Sequence, residues 1–461
     1  MTDPEPASRT PPAPAEPPAP PDATAAGAEL ARRFADRTAA VAVVGLGYVG
    51  LPLCRAMLDA GFRVLGFDAD PAKVAAASAR PARDWVPHLG EGFVERLVGS
   101  GRFEATGDAA RLADADAVLL CVPTPLKPDL SPDLSFVRDT AAAVAAAARP
   151  GQLVVLESTT YPGTTREVVL PPLEAAGLVL GRSVFVAYAP EREDPGRRDH
   201  TTATIPRLVG GLDAASGRLA ATLYRAAISR VVEVSSAEVA EAAKLHENVF
   251  RAVNIGLVNE QKELWLELGI DPFEVLDAAA TKPFGFMRFD PGPGIGGHCI
   301  PIDPHYLAWR AREAGLDPRF IELAGEVNRR TPARVAERTA AALAGGGRPV
   351  RGARVLVLGL AYKADVADTR ESPALDLIDR LQEAGAAVSC HDPHVPRSPR
   401  HAGLASVPLT AATLAAADAV VVATDHAALD LALVGEHASL VVDTRNAMAA
   451  VRPCRARVVL A

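Results

Sequence analysis

Apolar, β-branched segments alternate with alanine-rich stretches over the first half of the chain. After a short helix predicted in ELARRFADRTA, the segment AVAVVGLG forms the first strand, and DAVLLCVP, QLVVLEST and SVFVAYAP follow before about residue 230. Strands that are apolar along their whole length and separated by helices are typical of a parallel sheet covered on both faces. The pattern predicts a doubly wound α/β domain over residues 37–232.

A second alternation of this kind follows the glycine-rich segment GGGRPVRG. Its predicted strands lie in ARVLVLGLAYKADV, AAVSCHD, AVVVATD and SLVVDT, within residues 346–461. Between the two alternations, AEVAEAAKLHENVFRAVNIGLVNEQKELWLELGI contains no proline and only two glycines. This predicts one helix roughly 50 Å long, at 1.5 Å per residue. The predicted fold class is α/β, with two Rossmann-like domains joined by this helix and a helical middle domain over residues 233–345.

Composition excludes several classes of protein. With 461 residues, 49% of them hydrophobic, the chain is long enough for two or three packed domains. The formal net charge of −8 does not favour a nucleic-acid partner. Residues 1–36 are predicted to be a disordered tail rich in proline and alanine, without the apolar core of a signal peptide. No window approaches the roughly 18 to 20 apolar residues of a membrane span, so we expect a cytoplasmic protein.

A glycine turn follows the first predicted strand. In VAVVGLGYVGLPL, Gly45, Gly47 and Gly50 form GxGxxG directly after the strand and before a helix. Such glycines allow a tight turn, close approach of a pyrophosphate and close helix–strand packing. The second strand ends in Asp68, about 20 residues further on, where an acid can accept hydrogen bonds from ribose hydroxyls. The pattern predicts NAD rather than NADP as cofactor.

One cysteine lies in an unusual loop, GPGIGGHCIPIDPHY. The five cysteines of the chain include no CxxC pair, which favours reduced thiols over a disulfide framework. A metal site made by His298, Cys299 and His305 is disfavoured, because this spacing matches no compact zinc pattern. The residues alone leave Cys299 as either a structural thiol or a nucleophile, and the glycines would let backbone approach a ligand closely.

Three further polar residues are candidates for chemistry near this cysteine. Lys244 and Asn248 are four apart on the predicted long helix, so they share one face and suit stabilisation of an oxygen anion. For such a pair considered alone, a solvated helix face is the more common explanation. Asp303, four residues after Cys299, suits general acid–base action on water, or simply caps a turn.

Seven ordered segments together resemble the UDP-glucose/GDP-mannose dehydrogenase family. They run from about Ala39 almost to the end of the chain: GLGYVGLPL, CVPTPL, ESTTYPGTT, APEREDPG, KLHENVFRAVN, PGPGIGGHCIPIDP and GLAYKADVADTRESP. The resemblance implies oxidation of a sugar CH2OH to a carboxylate with two NAD+. Cys299 would be the nucleophile of a thiohemiacetal and thioester route.

Within the family, the chain most resembles enzymes acting on UDP-N-acetylhexosamines, above all UDP-N-acetylglucosamine. UDP-glucose enzymes more often have serine and lysine at the positions of His298 and Ile302. Their PEFLxE motif ends in a glutamate that aligns with Pro195, so a water-positioning role for that glutamate does not transfer. Substrates left open are UDP-N-acetylmannosamine, UDP-N-acetylgalactosamine and UDP-glucose, because epimers are hard to separate from sequence.

The resemblance also implies roles for individual residues. The catalytic set is Cys299, Lys244, Asn248, Asp303 and Thr159. The cofactor-binding set is Gly45, Gly47, Tyr48, Val49, Gly50, Asp68, Lys73, Thr124 and Arg370. The substrate-binding set is Glu191, Arg192, Arg288, Gly296 and Lys363. Thr124 and Thr159 considered alone are as well explained as polar loop residues, and Arg288 is expected to approach the sugar of a neighbouring subunit.

The expected partners are a UDP-sugar and a second copy of the chain, which would form a homodimer through the long helix. No metal, nucleic acid or membrane is expected. Two other functions remain as alternatives. A non-catalytic nucleotide-binding protein would lack Cys299, Lys244 or Asp303, and all three are present. A two-electron hydroxyacid dehydrogenase would need neither the cysteine loop nor the second Rossmann-like domain.

Overall fold

The N-terminal domain is built on one eight-stranded sheet. A computed structural model describes residues 24–86, 89–193 and 201–461. The sheet's strands are β1 (Ala40–Val44), β2 (Arg63–Phe67), β3 (Phe103–Thr106), β4 (Ala117–Leu120), β5 (Gln152–Leu156), β6 (Val184–Tyr188), β7 (Arg207–Gly211) and β8 (Val231–Val234). Their order is β3-β2-β1-β4-β5-β6-β7-β8, and all neighbours are parallel except β6 and β7.

Helices cover both faces of this sheet, which is why its central strands are apolar throughout. Val41 and Val43 of β1 face one apolar core, and Ala42 and Val44 face another on the opposite side. The helices are α1 (Ala25–Ala35), α2 (Gly50–Asp59), α3 (Pro71–Ser78), α4 (Phe93–Gly99), α5 (Ser135–Ala147), α6 (Leu170–Ala175) and α7 (Ala214–Arg225). A 3₁₀ turn at Ala109–Asp114 and a π-helical turn at Thr165–Val169 complete the domain.

The helix α1 overlaps the short helix predicted in ELARRFADRTA, although it lies within the range 1–36 assigned to a disordered tail. Leu30 and Phe34 are buried, and the Arg33 guanidinium pairs with the buried carboxylate of Asp116. The tail assignment is therefore wrong over residues 24–36, because an amphipathic segment there packs on the first domain. Residues 1–23 lie outside the described part of the chain.

The middle of the chain is helical, as predicted. The long helix is α8 (Ala237–Glu267), followed by α9 (Pro272–Ala280), the cysteine loop, α10 (Asp303–Glu313) and α11 (Arg319–Gly345). Helix α8 begins at the N-cap Ser236, whose side chain accepts from Val239 N. Helix α11 packs along α8 and contains Pro332 in its interior.

The C-terminal domain repeats the α/β pattern on a smaller scale. Its strands are β9 (Arg354–Leu358), β10 (Ala387–His391), β11 (Ala419–Val422), β12 (Leu440–Asp443) and β13 (Arg457–Leu460), in the order β10-β9-β11-β12-β13 and all parallel. Its helices are α12 (Pro373–Glu383), α13 (Ala411–Ala416) and α14 (Leu431–His437). Across the described residues, no helix has both the length and the apolar character needed to cross a bilayer.

Candidate active site

A cleft of about 1870 Å³ is lined by residues from the two α/β domains and the helical middle. Most of the residues singled out from the sequence line it: Tyr48, Val49, Thr124, Thr159, Glu191, Arg192, Lys244, Asn248, Arg288, Gly296, Cys299, Asp303, Lys363 and Arg370. Of the other five, Gly45, Gly47 and Gly50 lie between the end of β1 and the start of α2, Asp68 directly follows β2, and Lys73 lies in the first turn of α3. Carboxyl ends of parallel strands are where such folds bind their ligands.

The glycine turn has the geometry that a dinucleotide pyrophosphate requires. Gly45 has φ +95°, and a Cβ there would lie 2.4 Å from Cys121 O. A Cβ on Gly50 would lie 1.9 Å from Gly45 O, because helix α2 starts directly at the turn. At Gly47, in contrast, no heavy atom of the described residues lies within 4 Å of a Cβ position, which leaves open space beside the helix N-terminus.

The Asp68 carboxylate accepts three hydrogen bonds and can accept a fourth. Its Oδ2 accepts from Leu46 N and Lys73 Nζ, both at 2.8 Å, and its Oδ1 accepts from Asp70 N at 2.9 Å. A carboxylate offers about four acceptor positions, so one is left for a ribose hydroxyl. The turn and Asp68 together fit an NAD cofactor.

The two α/β domains meet across the cofactor side of the cleft. The Arg370 guanidinium lies over the Tyr48 ring, 4.1 Å from its centroid. Asp368 fixes that guanidinium by accepting from its Nε at 3.0 Å and its Nη2 at 2.6 Å. Thr124, in the segment after β4, is buried near Tyr306, whose hydroxyl donates to Pro125 O at 3.0 Å. Thr159 follows β5 in the cleft wall.

Lys244, Asn248 and Asp303 form a buried polar cluster. The first two project from α8, and Asp303 is the first residue of α10. The Asn248 amide Nδ2 donates to Asp303 Oδ2. Burial raises the pKa of Asp303 to about 6, and Lys244 and Asn248 limit the rise. A carboxylate with this pKa is ionised at neutral pH and able to accept a proton.

Cys299 is exposed and sits in the turn that leads into α10. Its carbonyl oxygen accepts from Asp303 N at 2.8 Å, which links the position of the cysteine to that of the aspartate. Gly297 has φ +93°, and its N–H donates to Arg370 O at 2.9 Å. A Cβ on Gly296 would lie 2.6 Å from Tyr362 Cβ. The loop glycines are therefore needed because the loop packs tightly against the C-terminal domain.

The two histidines of this loop, His298 and His305, are half-buried. Burial lowers the pKa of both His298 and His305, and His305 Nε2 lies 3.4 Å from Arg329 Nη1. Among the described residues, the side chains close enough to share a metal ion are those of Asp365, His394 and His426. His426 there accepts from Asp365 N on Nδ1 and bonds Asp392 through Nε2. Both of its ring nitrogens are engaged in protein hydrogen bonds.

Glu191 is held by a buried ionic chain that the sequence did not indicate. Its Oε2 accepts from Arg207 Nη2 at 2.6 Å, and Arg207 Nη1 donates to Glu157 Oε2 at 2.5 Å. The Tyr224 hydroxyl donates to the other Glu157 oxygen. Burial raises the pKa of Glu157 to about 7. Glu191 Oε1 accepts from the backbone N–H groups of the next two residues, so its carboxylate anchors this turn of the cleft wall.

Three cleft arginines differ in their partners. Arg192 is paired with Glu247 of α8. Arg288 is paired with Asp277 and Asp290.

Arg445, which sequence reasoning missed, follows β12 and donates its Nε–H to Ala423 O at 3.2 Å. No carboxylate oxygen of the described residues lies within 4.0 Å of its guanidinium. The signal that could have identified Arg445 from the sequence was its position just after SLVVDT, a predicted strand of the C-terminal domain. Pro195 lies outside the described residues.

Comparison with known proteins gives consistent matches along the chain. Three parts of the UDP-glucose/GDP-mannose dehydrogenase family match: the NAD binding domain at residues 39–228, the central domain at 238–330 and the UDP binding domain at 356–450. UDP-N-acetyl-D-mannosamine dehydrogenase of Pyrococcus horikoshii is 35% identical over 84% of this chain and 89% of that protein. UDP-N-acetyl-D-glucosamine 6-dehydrogenase of Pseudomonas aeruginosa is 34% identical over 84% and 90%.

Solved structures agree with this result. The structure of UDP-D-ManNAc dehydrogenase from Pyrococcus horikoshii superposes with a TM-score of 0.82 at 31% identity, over 91% of this chain and 98% of that one. The chain belongs to the UDP-glucose/GDP-mannose dehydrogenase family. It is an NAD-dependent UDP-sugar dehydrogenase, which confirms the family, the enzyme class and the cofactor predicted from the sequence.

Proposed function

We propose that this enzyme oxidises the C6 hydroxymethyl group of a UDP-N-acetylhexosamine to a carboxylate through a covalent cysteine intermediate. The observation that carries the proposal is the arrangement around α10. Cys299, Lys244, Asn248 and Asp303 line one cleft, and the backbone N–H of Asp303 donates to the cysteine carbonyl. A two-electron dehydrogenase would not need a thiol there.

The N-terminal domain is suited to hold the cofactor. Gly45, Gly47 and Gly50 would cradle the pyrophosphate, Asp68 would accept from the ribose, and Arg370 stacked on Tyr48 would border the site. Bound NAD+ supplies the hydride acceptor for each of the two oxidations. Thr124 and Thr159, in the segments after β4 and β5, are proposed to line the same side of the cleft.

The remaining chemistry belongs to the cluster on α8 and α10. Cys299 would add to the C6 aldehyde as a thiolate, giving a thiohemiacetal, and the second oxidation would leave a thioester. The Lys244 ammonium and the Asn248 amide would donate to the oxygen anion that develops at C6. Asp303, with its pKa of about 6, would take the proton of the water that hydrolyses the thioester.

UDP-N-acetylglucosamine is the proposed substrate among the epimers. The support is the resemblance of ESTTYPGTT, PEREDPG and GGHCIPIDP to enzymes of that branch, together with the P. aeruginosa relative named above. Relatives acting on the mannosamine epimer are about as similar, so this epimer is the first alternative. Glu191, Arg192, Arg288, Gly296 and Lys363 are proposed to border the sugar nucleotide.

A homodimer through the middle domain is also part of the proposal. Phe250, Leu257 and Leu264 of α8 are seven residues apart and leave large apolar side chains exposed on one helix face. Arg288 extends from the nearby loop with Phe284 and Met287, which are also exposed. Covering this face with a second copy would remove apolar surface from water. We also retain the proposal of a cytoplasmic setting, supported by five cysteines that include no CxxC pair.

The test counts NADH formed per nucleotide sugar consumed. UDP-GlcNAc, UDP-ManNAc, UDP-GalNAc and UDP-glucose would each be offered to the wild type, to Cys299→Ala and to Cys299→Ser. Two NADH per UDP-GlcNAc, with no acid formed by Cys299→Ala, are expected. One NADH per sugar, or full acid formation without the thiol, would overturn the covalent route. A clear preference for another sugar would change the substrate and leave the chemistry standing.

A further inference from the structure

Two neighbouring residues of the cleft wall are held from opposite sides. Glu191 is bound to Arg207 in the sheet of the N-terminal domain. Arg192 turns the other way and meets Glu247 of α8, with Nε–Oε2 and Nη2–Oε1 distances of 3.1 and 2.5 Å. This stretch of the wall is therefore fixed both to the N-terminal domain and to the helix that carries Lys244 and Asn248.

The geometry of Arg192 leaves two directed donors. A guanidinium has five N–H groups in a fixed plane. Nε and one N–H of Nη2 go to Glu247, and one N–H of Nη1 goes to Pro206 O at 2.9 Å. As far as the described residues are concerned, one N–H on each terminal nitrogen is left for a ligand. The side chain is 27% exposed and lines the cleft, so a ligand can reach it.

The charge of this pair separates it from Arg445, another cation of the cleft. Glu247 neutralises Arg192, so the pair offers hydrogen-bond donors without net charge. Arg445, with no carboxylate of the described residues within 4.0 Å, instead suits an anionic group such as a diphosphate. An uncharged acceptor matches the Arg192–Glu247 pair better, because it need not compete with a carboxylate already in place.

Glu247 also has a particular position on α8. It lies three residues after Lys244, so these two side chains are neighbours on the helix surface, and Lys244 is likewise a neighbour of Asn248, four residues further on. A sugar held at Arg192 would therefore be held at a set distance from the residues proposed to act on C6.

We propose that Glu247 is a specificity-determining positioning residue, which holds Arg192 so that its remaining N–H groups donate to the acetamido carbonyl of the substrate. The inference rests on the proposed function. It assigns recognition of the N-acetyl group to an ion pair between a loop and α8.

The first experiment compares Glu247→Gln and Glu247→Asp with the wild type. For Glu247→Gln we expect KM for UDP-GlcNAc to rise about tenfold, as for one lost hydrogen bond to an uncharged group. KM for NAD+, and the inhibition constants of UDP and UDP-glucose, should stay within about twofold, because neither inhibitor has an acetamido group. Glu247→Asp should recover part of the loss, since it restores the carboxylate.

A double-mutant cycle separates positioning from a general structural role. If Glu247 acts through Arg192, Glu247→Gln should cost little in an Arg192→Gln background. Additive losses would overturn the inference. Thermal unfolding of each variant shows whether the fold is retained, and KM for NAD+ reports on the cofactor half independently.

The results of these experiments distinguish a failure of the role proposed for Glu247 from a failure of the proposed function on which it rests. If the wild type oxidises no N-acetylhexosamine but does oxidise UDP-glucose, the proposed substrate class fails, and the inference fails with it. If the wild type oxidises UDP-GlcNAc while Glu247→Gln weakens UDP-glucose and UDP-GlcNAc equally, the function stands and only the inference fails. Unchanged KM in Glu247→Gln would have the same meaning.

Discussion

The two Rossmann-like domains begin with nearly the same turn and then diverge. After β1 the chain reads GLGYVG, and after β9 it reads GLAYKA. Gly45 and Gly359 both have positive φ, and their N–H groups donate to Phe67 O and His391 O, each at 2.8 Å. The first glycine is thus retained by the strand packing that both domains share.

The second and third glycines mark the difference in ligand. Helix α2 starts at Gly50, directly on the turn, whereas α12 starts only at Pro373, nine residues after Ala364. The intervening loop instead carries Arg370 across to Tyr48. One domain has a helix N-terminus at its turn, which suits a phosphate, whereas the other has a side-chain cation there. A common turn therefore does not imply a common ligand.

The acids that end the second strands show the same divergence. Asp68 accepts hydrogen bonds from three donors and retains one acceptor position for a ligand. Asp392 accepts from five, namely Leu360 N, Ala361 N, His394 N, Val395 N and His426 Nε2. With these donors in place, no acceptor position is left for a ribose hydroxyl. The C-terminal acid has become structural, as expected for a domain that binds another ligand.

The largest effect is expected from changing the third glycine. In Gly50→Ala the new Cβ would meet Gly45 O at 1.9 Å, so the turn must move. We expect NAD+ affinity to fall by at least about a hundredfold and stability by about 1–3 kcal/mol, as for overpacked sites. Isothermal titration and thermal unfolding would measure both. Ala364→Gly is the matched control in the other domain, and an equal loss there would contradict the comparison.

Replacing each of the two acids by asparagine should separate an effect on NAD+ binding from an effect on the stability of the fold. Asp68→Asn is expected to raise KM for NAD+ about tenfold and to weaken discrimination against NADP, since a charged acceptor is lost. Asp392→Asn should leave KM for NAD+ unchanged and destabilise the C-terminal domain instead. Steady-state kinetics with both cofactors would show the first effect, and urea denaturation at pH 7 the second.

The pH dependence of the Asp392 effect follows from its pKa. Burial alone would raise that pKa, but the bonds from His426 and the backbone lower it from 3.8 to about 2. Its stabilisation, about 2 kcal/mol by linkage, is present above the unfolded pKa and lost as pH falls through about 2. The wild type and Asp392→Asn should therefore converge in stability between about pH 4 and pH 2. A constant difference would contradict this account.

A smaller effect is expected where the two domains touch. Tyr48→Leu removes the ring beneath Arg370, a contact worth about 0.5–1 kcal/mol, so KM for NAD+ should rise by about threefold. Tyr48→Phe keeps the ring and is the control. If Tyr48→Phe weakens NAD+ as much as Tyr48→Leu does, the hydroxyl and not the stacking is responsible.

The smallest effect is the change in kcat near neutral pH that we expect from the titration of Asp303, in the cleft between the domains. With the pKa of Asp303 at about 6, kcat should fall only about twofold from pH 8 to pH 6 and about tenfold per unit below. The direction follows because Asp303 must be ionised to accept a proton. Glu157→Gln, which removes the buried carboxyl of pKa about 7, should leave this acidic limb in place. Loss of the limb in that variant would assign it to Glu157.

Strands and helices with a strong local pattern were predictable. The strands β1, β4, β5 and β6 are buried on both faces and were recognised as apolar runs, and α8 was recognised by its unbroken helical composition. The strands β3, β8 and β13 were not identified, because each has four residues and is partly exposed. The strand β7 was missed because RLVGG has a charge and two glycines.

The local sequence predicted the glycine turn and Asp68 and placed Lys244 and Asn248 on one helix face, since each of these depends on residues close together in the chain. For Cys299 the residues alone left a structural thiol and a nucleophile open. Contacts between distant segments were decided only by the tertiary structure. Packing places Asp303 beside Asn248, Arg207 between Glu157 and Glu191, and Arg370 on Tyr48. The raised pKa of Asp303 has the same origin, because the burial that causes it exists only once α8 and α10 have packed together.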